Sequence, residues 1–223
     1  MRVAASVFDL DRLSNENFTG DNTPVAQNPN DLANEYGPCN FDVKHNLTIS
    51  GVTTTPKFHN TGVNLVAGGW QVSPLISYRT GLPFTVTSGT DVSLSGIGQD
   101  RPNPVAGVAR YNKNFFPATN TLPHNVQWFN PAAFTNPTGG NFGTMRPFSL
   151  RGPGFANVDV AISKLFSIYE RYRLELRGES FNLLNHPNYS NPVSALSSSA
   201  TVGKITSTAN DPRLLQIAAK ITF

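Results

Sequence analysis

The chain has 223 residues and a formal net charge of +3, with charged residues at 14% and hydrophobic residues at 39%. That charge content is well below the ~25% of an average soluble domain. No Lys/Arg cluster marks a nucleic-acid partner, and no run approaches the ~18 apolar residues of a spanning helix.

Low charge without long apolar runs fits strands of period two, which hide their hydrophobicity from any averaging window. The 18 Gly, 17 Pro and 24 Asn predict many turns and long irregular connections. The single cysteine, Cys39, sits in a polar stretch beside Gly37, Pro38 and Asn40 and has no internal disulfide partner. Met1 to Leu10 is too short and too interrupted, by Asp9 and then Asp11, to read as a signal peptide.

Six segments carry strand periodicity. Residues 3–10 form a short, weakly alternating run. Residues 43–54 set Val43, His45, Leu47, Ile49 and Gly51 against Lys44, Asn46, Thr48 and Ser50. Residues 65–80 place Val66, Trp70, Val72, Ile76 and Tyr78 on one face and Gln71, Ser73, Ser77 and Arg79 on the other, with a possible extension through Phe84 and Val86. Pro74 inside this run predicts an edge position or a bulge.

Residues 156–168 group Val158, Val160, Ile162 and Phe166, and Lys164 breaks that face without explanation from the pattern. Residues 171–183 are the clearest two-faced strand: Tyr172, Leu174 and Leu176 oppose Arg171, Arg173, Glu175, Arg177 and Glu179, with the alternation slipping near Ser180 and Phe181. Charges at strict two-residue spacing would wrap around a helix, so the strand reading holds.

The last segment, residues 213–223, alternates to the very end. Leu215, Ile217, Ala219, Ile221 and Phe223 share one face; Gln216, Ala218, Lys220 and Thr222 share the other. Eleven residues is about the length of a tilted membrane-spanning strand. The expected fold is therefore all-β, an antiparallel transmembrane β-barrel segment of about six strands from a larger barrel. A soluble sandwich whose final strand ends the chain is the other reading of this segment.

Connection lengths support the barrel. Residues 11–42, 88–154 and 185–212 are long and polar, whereas 167–170 and 55–64 are short, and the long ones all fall on one side of the strand set. Short turns on one side and long loops on the other characterise outer-membrane barrels. Loop 88–154 leaves room for short strands of its own. Trp70, Phe166, Tyr172 and Phe223 fall near the short-turn ends and Tyr78 and Phe84 toward the long-loop ends, as two interfacial belts would.

Lumen-facing candidates are Arg173, Glu175, Arg177, Glu179, Gln216 and Lys220; they would either line a substrate path or form a charge ladder solvating the inner wall. Lipid-facing candidates are Leu174, Leu176, Leu215, Ile217 and Ile221. Phe223 is the candidate barrel-insertion signal. Arg151-Gly152-Pro153-Gly154 reads as a tight turn or a substrate-contact loop, and Asn185-His186-Pro187-Asn188 as a strand terminator.

His45, His59, His124 and His186 show no ligand spacing, so no metal site is expected. No nucleophile elbow, zinc-protease motif or phosphate loop is present, and Asp42 and Asp100 are lone loop acids, so no catalytic residue and no cofactor is expected. Phe115, Phe116, Trp128 and Phe129 would either stack on sugars or tether a long loop to the rim.

Motifs along residues 37–223 resemble, in family order, the Oar-like TonB-dependent outer-membrane receptors. They are Gly37-Pro38 with Phe41-Asp42-Val43-Lys44-His45; Gly69-Trp70-Gln71-Val72; Thr80-Gly81-Leu82-Pro83-Phe84; and Asp100-Arg101-Pro102-Asn103. Then follow Trp128-Phe129-Asn130-Pro131-Ala132-Ala133-Phe134; Leu150-Arg151-Gly152-Pro153-Gly154-Phe155; and Glu175 through Pro187 before the closing strand.

The resemblance implies a C-terminal portion, roughly the last quarter, of a barrel of about 22 strands. It implies residence in the cell outer membrane and uptake of a bulky solute energised by the TonB complex, with outer-membrane lipid, the barrel-assembly machinery and the remainder of barrel and plug as partners. The chain is expected to lack the plug and to be a fragment. The competing function is a soluble or surface β-sandwich that binds carbohydrate through aromatic loops.

Overall fold

The computed structural model describes residues 2–6, 26–111, 126–169 and 172–223. In chain order its strands are β1 (Arg2–Ser6), β2 (Asn46–Ser50), β3 (Thr53–Thr54), β4 (Trp70–Arg79), β5 (Pro83–Phe84), β6 (Asn103–Pro104) and β7 (Val126–Gln127). There follow β8 (Phe134–Thr135), β9 (Leu150–Arg151), β10 (Phe155–Tyr169), β11 (Tyr172–Phe181), β12 (Lys204–Ile205) and β13 (Leu214–Thr222). One short helix, α1 (Thr61–Ala67), lies between β3 and β4.

β1, β2, β4, β10, β11 and β13 form one antiparallel sheet in that spatial order, with β3 also on β4. Each long strand lies beside its chain neighbour, the up-and-down order of a meander. These are the six segments that period two marks out; residues 7–10 and 171, which the sequence adds to β1 and β11, lie outside the described residues. The chain is all-β.

β4, β11 and β13 have 10, 10 and 9 residues, matching the length of a tilted spanning strand. β10 has 15. It pairs with β4 through Phe155–Lys164 and with β11 through Val160–Tyr169, so its two partners are staggered along it. Stagger of this kind is what tilts strands in a closed sheet.

Pro74 is neither at an edge nor in a bulge. It lies in a central strand, opposite Val160 of β10, and its carbonyl accepts the Gly51 amide at 3.3 Å. The backbone polar groups of one residue in an antiparallel strand point the same way. Its missing N–H therefore falls on the β2 side, where the ladder pauses between Ser50 and Thr53 without changing register. The β10 side loses nothing.

Residues 65–67, expected as strand, close α1 instead. Val63, Leu65 and Ala67 alternate as a strand would, and seven residues are too few for the helical period to declare itself. Nor does β4 run on through Phe84 and Val86. It stops at Arg79, and both residues are buried elsewhere.

The described parts of the three long connections gather at one end of the sheet and pack on each other as a cap. Short pairs β5–β9, β6–β8 and β7–β12 frame it. Its core is Phe84, Val86, Phe129, Ala133, Phe134, Met145, Leu150 and Val202. The Phe129 ring is central, 5.8 Å from Phe84 and 5.7 Å, edge-on, from Phe134. The molecule's hydrophobic core is thus in its loops. Where side chains of the long strands are described, only Lys164 and Ser180 are buried.

Candidate functional site

Register fixes two faces on the sheet. On one lie Leu47 and Ile49; Trp70, Val72, Pro74, Ile76 and Tyr78; Val158, Val160, Ile162 and Phe166; Leu174 and Leu176; and Leu215, Ile217, Ala219 and Ile221. On the other lie Thr48 and Ser50; Gln71, Ser73, Ser77 and Arg79; Asn157, Asp159 and Ser163; Arg173, Glu175, Arg177 and Glu179; and Gln216, Lys220 and Thr222.

The apolar face is a continuous band that, among the described residues, only α1 at its short-turn end covers in part: Ile217 is 89% exposed and Phe223 91%. A soluble sandwich buries one face of each sheet against the other, and among the described residues no second sheet packs on either face. The polar face is not wholly charged, because Leu75, Leu165 and Phe181 also stand on it. The alternation of residue type slips at Ser180 and Phe181, which put a hydroxyl on the apolar face and a ring on the polar one, while the pairing continues: Ser180 pairs Leu215 and Phe181 pairs Leu214.

By register the candidate wall residues divide between these two faces. Leu174 faces Ile221, Leu176 faces Ala219, and Leu215 and Ile217 oppose Ser180 and Gly178 on the apolar face. Arg173, Glu175 and Glu179 oppose Thr222, Lys220 and Gln216. The ion pair in this row is within β11, Arg177 Nη2 to Glu179 Oε1 at 2.6 Å, and not across strands.

Lys164, the residue that breaks the apolar face, has a structural account. Its ammonium donates to the carbonyls of Asn64 (3.1 Å) and Leu65 (2.5 Å) in α1. It also lies 5.5 Å from the Trp70 ring centre and 5.1 Å from that of Phe166. A cation among helix-terminal carbonyls and aromatic faces is stabilised by both, and the side chain is only 6% exposed.

The cap is knit by buried polar groups. Arg101, 2% exposed, pairs with both carboxylate oxygens of Glu35 at 2.6 and 2.8 Å, donates to the Met145 carbonyl through Nε and to the Asn34 carbonyl through Nη2. Gln27 accepts the Arg101 amide and donates to the Gly143 carbonyl. Buried Asp100 accepts the amide and hydroxyl of Ser93, and Asn103 accepts the amide and hydroxyl of Thr144. Arg151 joins the Asp42 carboxylate, the Asp42 carbonyl and the Gly81 carbonyl.

Close approach requires glycine at several places in the cap: a Cβ on Gly81 would strike the Gly152 carbonyl, and one on Gly143 the Arg101 carbonyl. Lone acids in the sequence, Asp42 and Asp100 are structural partners in the fold.

The strand-ending motif is a second knot. Asn182 and Asn185 take positive φ, +50° and +51°, which asparagine tolerates better than most residues. The Asn182 side chain accepts the His186 amide and donates to the carbonyls of His186 and Asp211. Asn188, 1% exposed, accepts the Ala156 amide and donates to its carbonyl, mimicking a further strand beside β10. Sequence reasoning saw only Pro187 as a terminator; the spacing Asn182, Asn185, Asn188 was the available signal.

Of the loop aromatics, Phe129 is wholly buried and cannot stack on a sugar. Half-buried Trp128 packs on the core and donates its indole N–H to the Arg151 carbonyl at 2.8 Å. Phe84 belongs to this core and not to an outer aromatic belt. Phe115, Phe116 and His124 lie outside the described residues. Among the described residues no three His, Cys, Asp or Glu side chains gather as a metal site would need, and no helix is long and apolar enough to cross a membrane, which says nothing of strands.

A family model described as an outer membrane beta barrel domain matches residues 9–216. No curated protein matches the chain. No solved structure matches it.

Proposed function

The chain belongs to the family of outer membrane beta barrel domains, and we propose that its sheet is a stretch of barrel wall in a TonB-dependent uptake receptor. Location in the outer membrane follows from the family. The observation that carries the wall reading is the two-faced register shared by β2, β4, β10, β11 and β13, which holds up to a shift between Ser167 and Tyr169 beside the β10–β11 turn. In this reading Leu174, Leu176, Leu215, Ile217 and Ile221 meet lipid, while Arg173, Glu175, Arg177, Glu179, Gln216 and Lys220 meet the aqueous lumen. An arginine at the bilayer midplane costs ~2–4 kcal/mol, so the reverse arrangement is disfavoured.

The cap then stands on the outer side and the short turns, with Phe223, on the periplasmic side. Single-chain barrels of this kind need about eight strands, and an open edge in lipid costs several kcal/mol per unpaired backbone group. The outer edges of β1 and β13 are accordingly assigned to pairing with further barrel strands. The assembly machinery that inserts such barrels is the partner for the closing strand. The carbohydrate-binding sandwich is set aside, because its second layer is missing among the described residues and Phe129 is buried.

The uptake reading is supported by where the receptor-like motifs fall. Asp100-Arg101-Pro102-Asn103, Trp128 through Phe134 and Leu150 through Phe155 supply the cap's buried pairs and core. A cap built so firmly suits a lid over a lumen that admits selected solutes.

The test is genetic: lesions in the gene for this chain and in the TonB complex, alone and together, scored by uptake of fluorescent oligosaccharides and peptides. The double lesion should lose no more uptake than the single ones. Additive losses, or wild-type uptake of the whole panel without this chain, would contradict the receptor reading and leave the barrel wall standing.

A further inference from the structure

α1 reads Thr61-Gly62-Val63-Asn64-Leu65-Val66-Ala67, without a charge. A helix this short does not persist by itself in water, and the last four carbonyls of any helix lack intrahelical donors and ordinarily take water. Here each has a protein donor. Asn64 O takes Lys164 Nζ and the Gly68 amide, Leu65 O takes Lys164 Nζ at 2.5 Å, Val66 O takes the Trp70 indole N–H at 2.7 Å, and Ala67 O takes the Thr55 hydroxyl at 2.9 Å.

Two first-turn amides at the other end are taken as well. Asn60 Oδ1 accepts the amides of Gly62 and Val63, its carbonyl accepts that of Asn64, and Asn64 Oδ1 accepts that of Phe58. Polar backbone satisfied from within is what a hydrocarbon surrounding demands. The side chains complete the picture: Val63 is 46% exposed, Leu65 62% and Val66 73%, with exposed Phe58 beside them. A helix turned to water shows the opposite, polar side chains outward and hydrated carbonyls. Its anchor, Lys164, stands on the sheet's apolar face, so the helix continues that band at the short-turn end.

We infer that α1 is an interfacial helix bedded in the acyl-chain boundary of the leaflet at the short-turn end of the barrel, with lipid as its partner. The inference rests on the apolar face of the sheet meeting lipid. It also accounts for Lys164, whose ammonium closes the helix carbonyls while the helix in turn shields a cation that would otherwise face hydrocarbon.

The test uses the full chain folded into phosphatidylcholine vesicles that carry nitroxide-labelled lipids, with a small fluorophore on single cysteines introduced as V66C, L65C, I217C and R177C. The unsubstituted chain, whose Cys39 is buried, sets the background. A nitroxide near the glycerol end of the acyl chain should remove most emission at position 66 or 65, and a deep nitroxide that at 217; position 177 should stay bright. Bright emission at both 65 and 66 with quenching at 217 overturns the helix inference and leaves the wall intact. If those two thiols also resist a water-soluble reagent, a protein surface covers α1 and the lipid assignment falls equally. Bright emission at 217 overturns the wall and the helix inference together.

Discussion

Lys164, Arg101 and Phe223 show how differently single residues are read. Lys164 interrupts the apolar face and is opaque in sequence, because the carbonyls that receive it come from a helix a hundred residues earlier. Replacing it with Ala leaves the Leu65 carbonyl without its donor and the Asn64 carbonyl with the Gly68 amide alone, a loss of about 1–3 kcal/mol. Urea unfolding of the chain in vesicles should show that loss, and an unchanged midpoint would mean that water reaches α1.

Arg101 lies in a motif visible in sequence, yet its partner Glu35 is invisible there, being 66 residues away. Arg101→Met breaks a buried pair, at a cost of about 3–5 kcal/mol. The damage should appear as protease nicking of residues 80–154 while the sheet keeps its folded mobility; a cap as resistant as the parent's would contradict the keystone role. Phe223 follows directly on β13, and its role as insertion signal is a proposal drawn from the alternating strand that it ends. Phe223→Asp should reduce the folded, heat-modifiable protein in the outer-membrane fraction, since ring burial at an interface contributes up to ~1.5–3 kcal/mol. Phe223→Tyr should be mild, because an amphipathic ring suits the same place.

At the scale of elements, legibility followed period. The long strands could be located in the sequence because Leu174, Leu176 and their neighbours alternate over many residues, and a one-residue slip would invert every face. α1 could not, because Val63, Leu65 and Ala67 alternate as a strand would and seven residues are too few for the helical period to show. The cap could not either. Its pairs are two residues long, and what holds them is side-chain bonding between distant segments, such as Gln27 to Gly143 and Arg151 to Asp42.

The connection 185–212 reads in sequence as a long polar loop; Asn188, Val202 and Ile205 make it part of the cap's frame. Asn188→Ala removes both side-chain bonds to Ala156, and at about 1 kcal/mol for each should loosen the start of β10. Amide hydrogen exchange at residues 155–158 should quicken in that variant, whereas exchange at 172–176 should not. Uniform protection would show that the side chain does not extend the sheet.

For the whole molecule, the two parts divide the physics. The cap has a dry core and buried ion pairs, as a small soluble domain would. The sheet has no core, and its stability depends on a surrounding that accepts apolar side chains on one face and charges on the other. An outer membrane supplies both. The most direct test is paired thiol labelling in outer membranes that contain the chain, comparing Leu176→Cys with Arg177→Cys under a membrane-impermeant, water-soluble reagent. The two positions are neighbours in β11 on opposite faces. Rapid labelling at 177 with protection at 176 is the result expected of a barrel wall. Equal labelling at both, or protection at 177 with labelling at 176, would contradict it.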